Sequence, residues 1–382
     1  MVVPPRRSRD GMMLKSQSTR PLINQSPPMA PWSLVQSNTR SNRPSQNPSL
    51  PCSPLPTIMI RFRTPWFFKI VPLMLLMLAI ASHANGQGHL PDAKRIVFLG
   101  DSITHAGGYI ARIEAAMIAA HPETKIEILN VGLPSETVSG LSEPGHAGGQ
   151  FPRPDLHERL ERVLTQTKPD WVVACYGMND GIYYPLSDDR FQKFRDGIAR
   201  LHEAVEAQGA KILHLTPAYF DATPIKDRLL PAGRDEYRQP YEGYDDVLEA
   251  YSQWLLSKRQ DGWLVLDVHG AMKQAVLERR KSEPAFTFAS DGVHPNAAGQ
   301  AVIAAPLASA WGLTLDAQGL PEHPQAAKLL ELVSKKQEVL KLSWLSATRH
   351  TRPGIPEGLP VEKAQAAAQE LDAEARRLAS QR

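Results

Sequence analysis

The chain has 382 residues, 42% of them apolar, enough for one large domain or two with a proper core. Its formal charge of +3 is unevenly spread: residues 1–84 hold ten of the 43 Lys/Arg and one of the 40 acidic residues, leaving 33 and 39 for the rest, a net of about −6. The basic balance therefore belongs to the leader, and with no basic stripe beyond it a nucleic-acid partner is excluded.

Residues 1–58 hold eleven of the 33 prolines with many Ser, Asn and Gln, and read as disordered or as an over-extended gene model with translation starting at Met59. Residues 59–84 read as a signal peptide. Arg61, Arg63 and Lys69 form a basic n-region, Ile70 to Ala81 is a 12-residue apolar run, and Ser82-His83-Ala84 offers small residues for cleavage. A run this short, with Pro72 inside it, gives no stable membrane span, and the expected location is periplasmic or extracellular. An uncleaved signal anchoring the protein in the membrane is the alternative. Cys52 lies before the cleavage site, so Cys175 stands alone and no internal disulfide is expected.

From Arg95 onward, short apolar runs alternate with amphipathic stretches. Segments 95–100, 125–130, 170–177, 211–219 and 263–270 read as strands; 108–121, 156–167, 187–208, 243–258, 271–281 and 296–311 read as helices. Five strands alternating with helices predict a doubly wound, mostly parallel α/β sheet whose ligands sit beyond the carboxyl ends of the strands. After it, 322–345 and 361–380 read as a C-terminal helical extension, the second an Ala/Glu/Arg-rich surface helix.

Four stretches share that carboxyl rim. "FLGDSITHAGG" puts Ser102 where the first strand stops, as either a nucleophile or a helix cap. "NVGLPSE" puts Gly132 after the second strand, "YGMNDG" puts Asn179 after the third, and "DGVHPNAAG" puts Asp291 and His294 before the last helix of the domain. Chemically, serine is a weak nucleophile that needs a base within hydrogen-bond reach, which His294 can supply, and Asp291 can orient the other imidazole nitrogen.

In these four blocks the sequence resembles the SGNH subgroup of the GDSL hydrolases, over approximately residues 94–312. Ile103 stands where the family name has leucine. The resemblance implies a flavodoxin-like three-layer α/β/α sandwich and a serine esterase with a Ser102–His294–Asp291 triad. It also implies an oxyanion hole made of the Ser102 and Gly132 N–H groups and the Asn179 amide. No cofactor and no metal are called for. Residues 313–382 lie outside the resemblance.

Asp101 and Asp180 read as loop braces, and Cys175 as a buried structural thiol. "HERLE" and "HEAVE" lack the second His of a metalloprotease signature, and "GHAGGQ" lacks the Lys of a phosphate loop. The long segment Tyr219 to Tyr244 is punctuated by Pro and Gly and rich in tyrosine, and long loops at this rim tend to be functional. Tyr183, Tyr184, Tyr219 and Tyr241 are substrate-side candidates, because aromatic rings with polar tips suit sugar faces; packing of the loop is the competing reading. The expected substrate is an O-acyl, foremost O-acetyl, ester on a small molecule or polysaccharide. Lysophospholipase or arylesterase chemistry and a non-catalytic glycan-binding relative are the alternatives.

Overall fold

The computed structural model describes residues 88–381; the segment 59–84, expected to be a signal peptide, and everything before it lie outside the described residues. Strand β1 (Arg95–Gly100) is apolar throughout its buried length and sits near the middle of a five-stranded sheet. Its neighbours are β2 (Glu127–Asn130) on one side and β3 (Trp171–Cys175) on the other, followed by β4 (Lys211–Leu215) and β5 (Leu264–Leu266). All four pairings are parallel, with Phe98 beside Asn130 and Val173, and Gly100 beside Cys175. The order β2-β1-β3-β4-β5 is flavodoxin-like, so the connections leave β1 in opposite directions across the sheet and open a crevice at the carboxyl ends of β1 and β3.

Both faces are covered, as continuous runs such as VVAC in β3 require. The covering helices are α1 (Ser102–Ala106), α2 (Gly108–Ala120), α3 (Leu156–Thr167), α4 (Asp188–Ala207), α5 (Tyr244–Ser257), α6 (Val268–Arg280) and α7 (Ala297–Ala310). Helix α2 packs on α7 and α7 on α6, while α3 packs on α4. Side-chain caps start them where expected: Asp155 accepts from the His157 N–H, Ser187 from Arg190 and Asn296 from Ala298 and Gly299.

The extension is α8 (Ala326–Thr348) and α9 (Val361–Ala379), packed on each other and on α2, with α8 also lying along β2. Leu329, Leu332 and Val333 of α8 meet Ala111, Ala115 and Ile118 of α2. The surface reading of 361–380 needs correction: Ala364, Ala368, Ala375 and Ala379 are buried in a stripe of small residues. A hydrogen-bonded charge cluster sits beneath. Lys336 reaches Glu114 and Asp372 at 2.6 Å each, and the Gln337 amide donates to Glu114 (2.6 Å) and to the Ile128 carbonyl (3.0 Å). Among the described residues, no helix is long and apolar enough to cross a membrane.

Candidate active site

Ser102 is the first residue of α1, immediately beyond β1, and Asp101 rather than Ser102 caps that helix. The Asp101 carboxylate accepts from the Ile103 N–H at 2.9 Å, which leaves the Ser102 hydroxyl uncommitted to the backbone. Instead Ser102 Oγ lies 2.8 Å from His294 Nε2, and His294 Nδ1 lies 2.7 Å from Asp291 Oδ2. Three residues of separation suffice because Asp291 Oδ1 accepts from the backbone N–H groups of Val293 (2.9 Å) and His294 (2.8 Å), folding a tight turn. With the proton on Nδ1 donated to Asp291, Nε2 is free to accept from the serine hydroxyl.

The charges agree with that arrangement. The hydrogen bond to Asp291 raises the His294 pKa above the usual imidazole value, against the effect of burial. Burial acts to raise Asp291, but the hydrogen bonds from His294 and from the turn outweigh it and hold the carboxyl well below the usual carboxylate range. Asp101 is different: burial, with Asp180 and Glu136 nearby, pushes it up to about 7 even though the Ile103 N–H works the other way. Asp180 is likewise pushed by burial to about 6, and its Oδ1 accepts from Val138 and Ser139. Both aspartates brace loops. Cys175 is buried, and burial pushes its thiol up.

The three expected oxyanion donors are placed differently from one another. As first residue of α1, Ser102 carries an N–H with no intrahelical acceptor. Asn179 is buried, its Nδ2 at a long 3.3 Å from the Glu136 carbonyl. Gly132 already has local partners: its N–H donates to Asn130 Oδ1 at 2.9 Å, and its carbonyl accepts from His105 Nδ1 at 2.9 Å. Glycine is required there for space, since a Cβ would stand 2.6 Å from the His105 nitrogen. The Asn179 turn depends on Gly177, at φ 132° with Pro217 where a side chain would go. Beyond it, Ile182 (φ 47°) and Tyr183 (φ 60°) are held in the left-handed region, a strained conformation for bulky residues. The Tyr183 carbonyl accepts from the Tyr241 N–H (2.9 Å), and the Tyr244 hydroxyl donates to the Met178 carbonyl (2.8 Å).

The four candidate tyrosines are not one surface. Tyr183 packs on Tyr244 at 4.9 Å, Tyr184 on Tyr237 at 4.9 Å, Tyr241 on Tyr237 at 6.1 Å, and Tyr219 edge-on to His269 at 6.1 Å. They organise their own loops, and among them Tyr183 is tied to the site through Arg153, whose guanidinium lies over its ring. Sequence reading missed the charged groups beneath the rim. Arg159 holds Glu136 through Nε (2.6 Å) and Nη2 (2.8 Å) and donates to the Val131 carbonyl (2.8 Å); the Tyr176 hydroxyl donates to Glu136 at 2.7 Å. Arg153 pairs with Glu143 and Asn179. No spacing rule marks either arginine.

The extension reaches the same region. Lys341 donates to the His105 carbonyl at the end of α1 (2.9 Å), and Arg352 lies 5.4 Å over the Phe151 ring. The triad itself is open, with His294 and Asp291 side chains 54% and 50% exposed. A cleft of about 580 Å³ lined by Lys125, Ile126, Leu340 and Arg376 lies at the start of β2, the opposite end of the strand from the rim. Among the described residues no cluster of His, Cys, Asp and Glu could hold a metal.

A parallel α/β/α sandwich with serine, histidine and carboxylate in line at its carboxyl rim defines a hydrolase-type site. The model of the GDSL-like lipase/acylhydrolase family matches residues 98–302, more than half of the chain. The protein belongs to that family and is a carboxylic ester hydrolase of the SGNH type. It is similar to an acetylxylan esterase from Geobacillus stearothermophilus, with 24% identity over 234 residues, 56% of this chain and 91% of the relative. The structure of a catalytic mutant of an acetylxylan esterase from the same organism gives a TM-score of 0.44 at 20% identity, covering 60% of this chain and 97% of that one. A gut microbial diltiazem-metabolizing enzyme gives 0.45 at 21% identity over 59% of this chain; the chain spans about half the length of that enzyme, 49%.

Proposed function

We propose that the protein is an exported serine esterase that removes O-acetyl groups from carbohydrate through an acyl-enzyme on Ser102. The observation that carries the mechanism is the unbroken hydrogen-bond chain from Ser102 Oγ through His294 to Asp291, at 2.8 and 2.7 Å. His294 takes the serine proton as Oγ attacks the ester carbonyl, and the resulting imidazolium is stabilised by Asp291. The Ser102 N–H and Asn179 Nδ2 receive the developing oxyanion. His294 then returns its proton to the departing sugar hydroxyl. Water, activated by the same imidazole, hydrolyses the acyl-enzyme and releases acetate.

The acetyl and carbohydrate assignments are supported by the relative that acts on acetylxylan, and by the openness of the triad, which suits a small acyl group carried on a bulky polymer. The test is a substrate panel of acetylated xylo-oligosaccharides, p-nitrophenyl esters of graded chain length and lysophospholipids. Acetylated sugars should give the highest kcat/KM and p-nitrophenyl esters should fall beyond short chains. A preference for long-chain or lysophospholipid substrates would overturn the carbohydrate assignment.

A further inference from the structure

Residues 138–154 make an excursion over the rim, closed at its base where the Thr137 N–H donates to the Pro154 carbonyl (2.9 Å) and the Leu156 N–H to the Thr137 carbonyl (3.0 Å). Arg153 stands at the return of this excursion, 7% exposed, and every arm of its guanidinium is engaged. Nε and Nη2 donate to the two oxygens of Glu143 at 2.7 Å each, Nη1 donates to Asn179 Oδ1 at 2.8 Å, and the plane lies 5.3 Å over the Tyr183 ring. Glu143 is itself an anchored partner. Burial would raise its carboxyl, yet the hydrogen bonds from His146 and Arg153 bring it down to about 2.

The consequence falls on the Asn179 amide, whose two ends differ only in which is donor and which acceptor. A guanidinium has donors alone, so the end of Asn179 facing Arg153 must be the oxygen. A flipped amide would set two donors against each other in a buried site, losing a charge-assisted hydrogen bond and leaving both unsatisfied. With Oδ1 fixed, Nδ2 is forced to the other side, where one proton faces the Glu136 carbonyl at 3.3 Å and the second is free to donate. Without Arg153, the protein retains little that selects one orientation: the 3.3 Å contact is weak, and the neighbouring turn at Ile182 and Tyr183 is strained.

We infer that Arg153, clamped by Glu143, is a positioning residue for ester hydrolysis: it locks the Asn179 amide with its nitrogen toward the reacting carbonyl. This rests on the reading of Asn179 as an oxyanion donor. Arg153 touches no reacting atom in this scheme and acts through Asn179, so the two residues form one unit whose losses do not multiply.

The experiment measures kcat and KM on p-nitrophenyl acetate for the full chain carrying R153M, R153K, N179A and R153M/N179A. R153M should lower kcat about 10- to 100-fold, bounded by the 10²–10³-fold expected for loss of an oxyanion donor, with KM changed less than threefold. R153K, which keeps a cation but not the fork, should recover part of that loss. The double variant should be no more than twofold slower than N179A. Should R153M fail to fold, R153K with and without N179A decides the matter by the same comparison. An R153M kcat within twofold of wild type, or a double variant slower than N179A by the full single-variant factor, overturns the positioning role while leaving the esterase mechanism intact. Wild-type kcat in N179A would instead remove the donor on which both readings depend.

Discussion

Replacing Asp291 by asparagine isolates what the carboxylate does for His294. Asp291 serves two partners: Oδ1 accepts from the Val293 and His294 backbone N–H groups at 2.9 and 2.8 Å, and Oδ2 accepts from the imidazole Nδ1 at 2.7 Å. An asparagine that keeps its oxygen on the backbone turns its NH₂ toward Nδ1. The imidazole then takes the tautomer with its proton on Nε2, facing Ser102, and cannot accept the serine proton. Rotating the amide restores the productive tautomer but breaks both turn hydrogen bonds, at a cost of about 1–3 kcal/mol, so only a minor fraction of molecules is competent. Adding the lost stabilisation of the imidazolium, we expect kcat to fall by about 10²–10⁴, less than for loss of Ser102.

The pH dependence carries the sign. Asp291 raises the His294 pKa, so the wild-type acid limb of kcat/KM, where the base deprotonates, lies above that of an unaided imidazole. D291N removes that effect, and the limb moves to lower pH even as the plateau drops. The assay is kcat/KM on p-nitrophenyl acetate across the acid limb for both proteins. A D291N variant with kcat within fivefold of wild type and an unmoved limb would refute this account of the turn.

Arg159→Met removes the cation from a pair in which Arg159 is 1% and Glu136 0% exposed, and should cost about 3–5 kcal/mol by chemical denaturation, while R159M/E136M recovers part of the loss. Equal stability of R159M and wild type would deny the pair its structural weight. Leu329→Ala, fully buried between α8 and α2, should cost about 2–5 kcal/mol; a cost below 0.5 kcal/mol, on the order of a surface substitution, would mean that the extension is not integral to the core. Because the apolar run and small residues align near Ala84, exported protein should begin near Asn85, within 82–88, by N-terminal sequencing, and material beginning at Met1 or Met59 would favour an anchor.

Much of this molecule was legible in its sequence because the sheet is buried on both faces. The expected helix 156–167 coincides with α3, and α2 and α4 to α7 fall within three residues of their expected bounds, whereas the five-residue α1 has no counterpart among the expected helices. The strand ends were overrun. The expected strand 263–270 stops at Leu266 because Asp267 accepts from the Gly270 N–H (2.8 Å) and starts α6, and 211–219 stops at Leu215, just before Thr216, whose hydroxyl accepts from Val268 and His269. Local polarity gave no warning, since the capping aspartate sits inside an apolar run. Helix α9 was misread for the opposite reason: its buried face is alanine, which contributes little apolar contrast against α8.

At the site, Ser102, Asn179, Asp291 and His294 stood out because four short blocks occur in a fixed order and carry a nucleophile, an amide donor, a carboxylate and a base. Gly132 stood out too, yet its N–H bonds Asn130, a partner two residues away in a turn that only coordinates reveal. Arg153, in "FPRPD", and Arg159, on a helix that reads as amphipathic, depend on long-range partners, Asn179 and Glu136, that no periodicity connects. Long-range pairing of buried charge is invisible to patterns built on spacing.

The covalent role proposed for Ser102 is tested most directly by treating the purified protein with a fluorophosphonate and locating the adduct by peptide mass spectrometry, beside the kinetics of S102A, H294A and S102A/H294A. The account predicts stoichiometric modification of Ser102 with parallel loss of esterase activity. Each single variant should lose several orders of magnitude in kcat, and the double variant little more. An unmodified Ser102, together with an S102A variant hydrolysing esters within tenfold of wild type while H294A is inactive, would contradict it and leave a histidine-activated water as the nucleophile.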